Sequence, residues 1–157
     1  MQDAYYAELE STLGTLSFTC DDGGRLVELR FGPGTAAPTC DDRRCEHVRE
    51  QLAEYLHGAR TTFELETAPA GTTFQRRVWQ GLTEIPYGEA ISYGELARRI
   101  GMPGAARAVG QANGANPIPI VIPCHRVIAA DGSIGGFSSG LGIKRQLLSL
   151  ERVQIAA

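Results

Sequence analysis

No stretch of this sequence is long and apolar enough to cross a membrane. The longest near-continuous apolar run covers residues 118–122 and is broken by Pro119, against the ~20 apolar residues that a spanning helix needs. The amino terminus, Met1-Gln2-Asp3-Ala4-Tyr5-Tyr6, has neither a basic start nor an apolar stretch, so no secretory signal is expected. Cysteine is sparse. Cys20, Cys40, Cys45 and Cys124 are too few for a disulfide framework in 157 residues and read as reduced thiols of a cytoplasmic protein. No glycine-rich loop follows a strand pattern, so no nucleotide or S-adenosylmethionine cofactor is expected. Repeats and low-complexity tracts are absent as well. What is present is an ordinary apolar fraction, 43%, in a length that suits one domain or two small ones.

The net charge of −3 is unevenly spread. Residues 1–70 hold 13 acidic and 6 basic side chains, a net of −7, whereas residues 71–157 hold 5 acidic and 9 basic ones, a net of +4. A basic carboxy-terminal half can meet a polyanion while the acidic half faces away, although an ordinary solvated surface produces such asymmetry too. The sign changes at Thr67-Ala68-Pro69-Ala70-Gly71, which reads as a linker between domains 1–70 and 71–157.

In the first half, Leu16-Ser17-Phe18-Thr19-Cys20 and Leu26-Val27-Glu28-Leu29-Arg30-Phe31 alternate around Asp21-Asp22-Gly23-Gly24, which predicts a hairpin over 15–31. Asp41 or Asp42 can cap a helix running to about His57, with Val48, Leu52, Tyr55 and Leu56 inward and Gly58 as its stop. Thr62-Phe63-Glu64-Leu65-Glu66 alternates as a further strand. In the second half, Thr72-Thr73-Phe74-Gln75 fits a capping box ahead of a helix with Phe74, Val78 and Leu82 inward. Ser92-Tyr93-Gly94-Glu95 is a second such match, opening a helix to Ile100 that Gly101 ends. A third helix, 105–113, is built from small residues, and the pair joined by a short glycine-containing turn has helix-turn-helix geometry. Pro117, Pro119 and Pro123 forbid helix after Asn116 and predict an extended segment. Residues 127–129, a turn at Asp131-Gly132 and Ile134 suggest a small hairpin, 135–140 a loop, and 141–152 a last helix.

The chemistry concentrates in Pro123-Cys124-His125-Arg126-Val127. Cysteine is a strong nucleophile only as thiolate, which a neighbouring imidazole and a cation favour. Neighbours in an extended segment point to opposite sides, so a Cys124–His125 contact needs a bridging water or a turn. Cys40, Cys45 and His47 have poor spacing for zinc and no clear fourth ligand, so no metal is expected.

This stretch resembles the active-site signature of the O6-alkylguanine-DNA alkyltransferases. The likeness extends through Phe74-Gln75-Arg76-Arg77-Val78-Trp79, Ile85-Pro86-Tyr87-Gly88, Ser92-Tyr93-Gly94-Glu95-Leu96-Ala97, Ala106-Arg107-Ala108-Val109-Gly110, Asn116-Pro117-Ile118-Pro119 and Gly135-Gly136-Phe137-Ser138. The resemblance implies an α/β chain: a small ribonuclease-H-like amino-terminal domain, then a mainly helical, winged-helix-like domain that binds DNA and carries the reaction. It implies a monomer acting on double-stranded DNA from the minor groove, flipping the damaged base and taking its alkyl group irreversibly onto Cys124. His125 would be the base, acting through water, Glu151 its orienting carboxylate, and Asn116 the brace of the active-site turn. Tyr93 would donate to guanine N3, and Arg107 would fill the vacated stack. Ala105, Ala106, Ala108, Gly110 and Gln111 would lie along the DNA. Val127, Phe137 and Ser138 would complete the pocket, with the carbonyls of Cys124 and Val127 accepting from the exocyclic amine and the Ser138 N–H donating to O6. Phe137 departs from the tyrosine that animal members carry there, so any contact from that hydroxyl is lost.

The residue types fit these roles. Guanine O6 is inaccessible inside the stack, and flipping leaves a gap for a long side chain. A helix of alanine and glycine lies close in a narrow groove. Three rivals share parts of the pattern. A non-catalytic base-flipping relative would lack Cys124. A helix-turn-helix regulator would need more hydrogen-bonding side chains on its recognition helix than 105–113 provides. A Cys-His hydrolase would turn over.

Overall fold

The computed structural model describes residues 4–34, 39–40 and 42–156. The chain forms two compact units, Met1–Ala70 and Gly71–Ala157.

The first unit is a sheet with one helix on it. The strands are β1 (Ala4–Ser11), β2 (Gly14–Asp21), β3 (Leu26–Phe31) and β4 (Thr39–Cys40), in the order β3-β2-β1-β4. The pairs β1–β2 and β2–β3 are antiparallel, and β1–β4 is parallel. Tyr5 and Ala7 from β1, Leu16, Phe18 and Cys20 from β2, and Leu26 and Leu29 from β3 are buried. Against them packs α1 (Asp42–Leu56), whose Cys45, Val48, Leu52 and Tyr55 are fully buried, while Leu56 is only half-buried. Gly58 ends α1 at φ +78°, with the Gly58 N–H on the Tyr55 carbonyl and the Ala59 N–H on the Glu54 carbonyl. That pair of bonds is a Schellman motif, and its left-handed residue is why glycine stands there. The cap expected of Asp41 lies outside the described residues, as do the Cys40 side chain and with it the Cys40-Cys45-His47 spacing.

Two expectations need correction here. The sequence pattern leaves out β1, which pairs with β2 along its whole length from Ala4↔Asp21 to Ser11↔Gly14. The segment Thr62-Phe63-Glu64-Leu65-Glu66 is not a ladder strand. Its end bonds β3 at Leu26, whose N–H meets the Glu66 carbonyl at 2.9 Å beside the isolated bridge Leu26↔Thr67, and the side chain of Gln51 takes both main-chain groups of Glu64, at 2.8 and 3.3 Å. A carboxamide replaces the missing strand as hydrogen-bond partner.

The second unit is mainly helical. Its helices are α2 (Thr73–Thr83), α3 (Tyr93–Arg99), α4 (Ala106–Gly114) and α5 (Leu141–Leu150). Thr72 and Gln75 form the expected capping box of α2. Val78 and Leu82 are buried, Phe74 is half-buried, and Trp79 is also interior, its indole N–H donating to the Ala112 carbonyl at 2.8 Å. Gly81 lets α2 and α3 close up, because a Cβ there would stand 2.6 Å from Ile100 Cγ2. Ser92 caps α3 by accepting from the Glu95 N–H, but only half of the second capping box forms: Glu95 pairs instead with Arg98 and Arg99. Gly101 and Met102 close α3 with another Schellman motif, and the chain then turns into α4, one residue later than the sequence predicts.

The expected hairpin at 127–134 is also different. Its first strand, β6 (Val127–Ile128), pairs in parallel with β5 (Ile91–Ser92), while the turn at Asp131-Gly132 is present with the Gly132 N–H on the Ala129 carbonyl. The last helix stops at Leu150. Arg152 sits at φ +61°, where glycine is usual, and completes a Schellman motif with Val153 that fixes Glu151 as the helix cap.

Candidate active site

The approach to Cys124 is a series of turns rather than an extended segment. The Ile122 N–H bonds the Ile118 carbonyl, and Ile120 is held at φ +74°, an unfavourable region for a β-branched residue. Asn116 holds this turn at both ends: its Oδ1 accepts from the Ile118 N–H at 3.0 Å, and its Nδ2 donates to the Ile122 carbonyl at 2.8 Å. Pro123, at φ −80° and ψ 67°, is the centre of an inverse γ-turn that places the Cys124 N–H on the Ile122 carbonyl. Cys124, His125 and Arg126 then form one 3-10 turn, all three buried. Tertiary bracing, which proline counting does not reveal, sets this geometry.

Behind the turn lies a buried carboxylate. Glu151 is 2% exposed; its Oε2 accepts from His125 Nε2 at 2.7 Å, and both its oxygens accept from Arg126, at 2.9 and 3.0 Å. The Gly88 N–H adds a bond to Oε1 at 3.3 Å, and Arg126 also donates to the Ile85 carbonyl at 2.6 Å. The bidentate guanidinium is what allows an ionised carboxylate in so dry a place. With Nε2–H on Glu151, His125 Nδ1 is the unprotonated nitrogen, and it has no hydrogen-bond partner among the described residues. Burial holds the imidazole below its usual range, with Glu151 opposing, so it is neutral at pH 7.

Electrostatics revise one expectation. The guanidinium beside Cys124 is engaged by Glu151 and does not activate the thiol. Burial pushes the thiol up to about 11, opposed by Asn116 and by the cation of Lys144. Lys144, on α5, is fully buried, its ammonium donating to the Val127 carbonyl at 2.7 Å and the Gly136 carbonyl at 2.9 Å. Burial pulls it down to about 8, with Cys124 opposing. Sequence reading missed Lys144, and only its helical face, shared with Leu141, Leu147 and Leu148, hints at it. Asn113 was missed likewise. It is buried, and its Nδ2 donates to the Cys124 carbonyl at 3.4 Å.

Next to this turn is a cavity of about 220 Å³ walled by Tyr93, Gly110, Asn113, Gly114, Gly136, Phe137 and Ser138. Tyr93 is kept a neutral phenol by burial, and its hydroxyl meets the Gly136 main chain. Val127 is buried, with its carbonyl on Lys144. Of the residues expected along the DNA, Arg107, Ala108 and Gln111 are exposed on one face of α4, and Ala105, Ala106 and Gly110 are half-buried. Arg107 makes no hydrogen bond or ion pair with any described residue.

Comparison with known proteins places the chain in a family. Residues 73–153 match the family model "6-O-methylguanine DNA methyltransferase, DNA binding domain". The methylated-DNA-protein-cysteine methyltransferase of Mycolicibacterium paratuberculosis is 47% identical over 94% of this chain and 92% of its own length. The one from Methanosarcina acetivorans is 45% identical over 94% and 97%. Among solved structures, the Mycobacterium tuberculosis O6-methylguanine methyltransferase superposes with a TM-score of 0.86 at 45% identity, covering 95% of this chain and 93% of that one. The same organism's OGT in complex with DNA gives 0.87 at 46%, covering 94% and 92%. The Cys124 turn, its buried His-Glu pair and the adjoining cavity thus stand in a chain that belongs to the methylated-DNA-protein-cysteine methyltransferase family.

Proposed function

We propose that this protein repairs O6-alkylguanine in double-stranded DNA by one irreversible transfer of the alkyl group to Cys124. The observation that carries this reading is a buried thiol on a braced turn, backed by His125 and Glu151 and adjoining a cavity of about 220 Å³. That volume is below the ~300 Å³ at which drug-sized sites begin and suits a single flipped base. The resting thiol is protonated. Its proton passes through water to His125 Nδ1, and Glu151 stabilises the imidazolium that forms. The sulfur then attacks the alkyl carbon, the bond from that carbon to O6 breaks, and guanine leaves with Tyr93 donating to the ring. The alkyl donor is the DNA, so no cofactor enters.

Unit 71–157 carries binding and chemistry in this reading. Arg107 enters the stack from the exposed face of α4, and the small residues Ala105, Ala106, Ala108 and Gly110, with Gln111, follow the minor groove. Cys124, His125, Glu151, Asn116 and Tyr93 form the reacting centre, and Val127, Phe137 and Ser138 the pocket. The ribonuclease-H-like description of 1–70, the winged-helix description of 71–157, monomeric action and a cytoplasmic location belong to the same proposal. They rest on the family likeness and on the free thiols of Cys20 and Cys124. No helix among the described residues is long and apolar enough to cross a membrane.

Intact-protein mass spectrometry after incubation with a methylated duplex tests the reaction. The expected product carries one methyl, ~14 Da, on the peptide containing Cys124, and Cys124→Ser binds the duplex and gains nothing. Multiple turnover, or methylation of Cys124→Ser, would refute the mechanism.

A further inference from the structure

The segment Ile85-Pro86-Tyr87-Gly88 has no step in the reaction proposed above. In the structure it meets the buried Arg126–Glu151 pair. The chain turns at Pro86, with the Glu89 N–H on the Pro86 carbonyl at 3.1 Å and Gly88 at φ +85°, the left-handed position that such a turn gives to glycine. The Ile85 carbonyl accepts from Arg126 Nη1 at 2.6 Å. The Tyr87 ring lies over the Arg126 guanidinium, whose carbon is 5.8 Å from the ring centroid. The Tyr87 hydroxyl donates to the Leu150 carbonyl at 3.2 Å, and the Gly88 N–H donates to Glu151 Oε1 at 3.3 Å. Leu150 ends α5, and its carbonyl is one of the four that a helix terminus leaves without an intrahelical partner. Glu151 follows directly. One turn therefore holds the main chain just before the carboxylate, one carboxylate oxygen and the guanidinium that shares it.

We infer that Tyr87 is a positioning residue of the transfer, which keeps Glu151 on His125 by pinning the end of α5 and covering Arg126. The inference rests on the alkyltransferase reading, in which His125 takes the thiol proton. The imidazolium so formed is stabilised by a carboxylate in hydrogen-bond contact. Arg126 competes for that carboxylate: Glu151 Oε2 accepts from His125 Nε2 at 2.7 Å and from Arg126 Nη2 at 3.0 Å, and Oε1 accepts from Arg126 Nε at 2.9 Å. Helix ends fray. A loosened Glu151 would follow the guanidinium, which makes two bonds to it, rather than the imidazole, which makes one. Tyr87 opposes this at both points. Its hydroxyl fixes α5 one residue before Glu151, and its ring fixes the guanidinium, a contact that strengthens as water is excluded. Tyr87 is half-buried and is not part of the cavity wall, so it acts on the proton relay and not on the base. The charged groups facing His125 are Glu151, Arg126 and Lys144, and the Tyr87 turn holds the first two.

Two variants test this. Tyr87→Phe removes the hydroxyl and keeps the ring, and Tyr87→Leu removes both. In single turnover at saturating O6-methylguanine duplex, transfer should slow roughly threefold in Tyr87→Phe and roughly tenfold in Tyr87→Leu, as the loss of one and then two weak contacts requires. The half-saturating DNA concentration should not change. His125 must be neutral to take the proton, so the rate falls on the acid side as the imidazole charges. Weaker support from Glu151 should move that limb to lower pH in both variants. A merely structural role would lower the melting temperature and leave the saturating rate and the acid limb in place. That outcome, or a loss confined to half-saturation, overturns the assignment. The resting protein gives a readout that needs no transfer, the 15N NMR titration of its 3 histidines. His125 should titrate at lower pH in Tyr87→Phe than in the wild type, and an unchanged titration overturns the assignment. If melting shows one variant unfolded, the other completes the comparison. A wild-type protein that transfers nothing overturns the alkyltransferase reading itself, while the histidine titration still decides whether Tyr87 keeps Glu151 on His125.

Discussion

Lys144 and His125 show how burial sets the chemistry residue by residue. The Lys144 ammonium ties the Val127 carbonyl, just after the Cys124 turn, to the Gly136 carbonyl in the loop that walls the cavity. Lys144→Met keeps the volume and strands both acceptors, so it should cost on the order of 2–4 kcal/mol of stability. It also removes the cation that opposes the upward shift of Cys124, so single-turnover transfer should slow. Chemical denaturation and quench-flow measure the two effects separately. The His125 shift makes a prediction about acid. Its imidazole is held below 6.5 when folded, so on acidification the unfolded chain takes up a proton that the folded chain refuses. The stabilisation is therefore present above 6.5 and lost as pH falls. Melting temperatures should decline between pH 6.5 and 5, before the depressed carboxyls of Asp21, Glu95 and Asp131 begin to titrate. The decline should be shallower in His125→Asn.

At the scale of elements, α4 exposes Arg107 beside Ala108 and Gln111 while Val109, Ala112 and Asn113 face inward. An exposed cation amid small side chains stabilises nothing in the fold, so its loss should leave melting unchanged. Arg107→Ala should nonetheless weaken repair of duplex by about 1–3 kcal/mol, the scale of one unstacked base, and leave reaction with free O6-benzylguanine intact. Equal losses on both would remove the finger role. Elements with local signals were legible in the sequence: the Asp-Gly-Gly turn of the β2–β3 hairpin, the capping box of α2 and the glycine stops of α1 and α3. Those settled by distant partners were not. The β1–β2 turn at Thr12-Leu13 has no typical turn dipeptide, and Ala4-Tyr5-Tyr6-Ala7-Glu8 has little β-branching, so β1 leaves a weak trace. β6 finds its partner across the unit in β5. Cys124 and its family partners could be placed from their motif, whereas Lys144 and Asn113 matter only through neighbours that folding supplies.

For the whole molecule, charge is segregated by unit, −7 in residues 1–70 and +4 in 71–157. Part of the second unit's charge is internal, because Arg126, Lys144 and Glu151 are buried. The exposed arginines of that unit remain to meet phosphates. DNA affinity should fall steeply with salt, as released counterions require, even though the sequence pI is about 5.6. Titrations by fluorescence anisotropy at several salt concentrations check this, and a flat response would make the asymmetry incidental.

Cys124 is 5% exposed, enclosed by the turn that presents it. In the proposed reaction a methyl group is added to that sulfur, and whatever part of it the adjoining cavity does not admit overpacks the interior, at about 1–3 kcal/mol for an extra carbon. On that mechanism the thioether keeps its methyl, and any strain stays with the chain that reacted. On the proposed mechanism the protein acts as a reagent rather than a catalyst. A cell's defence would then be measured by how many copies it holds before exposure, because no copy serves twice.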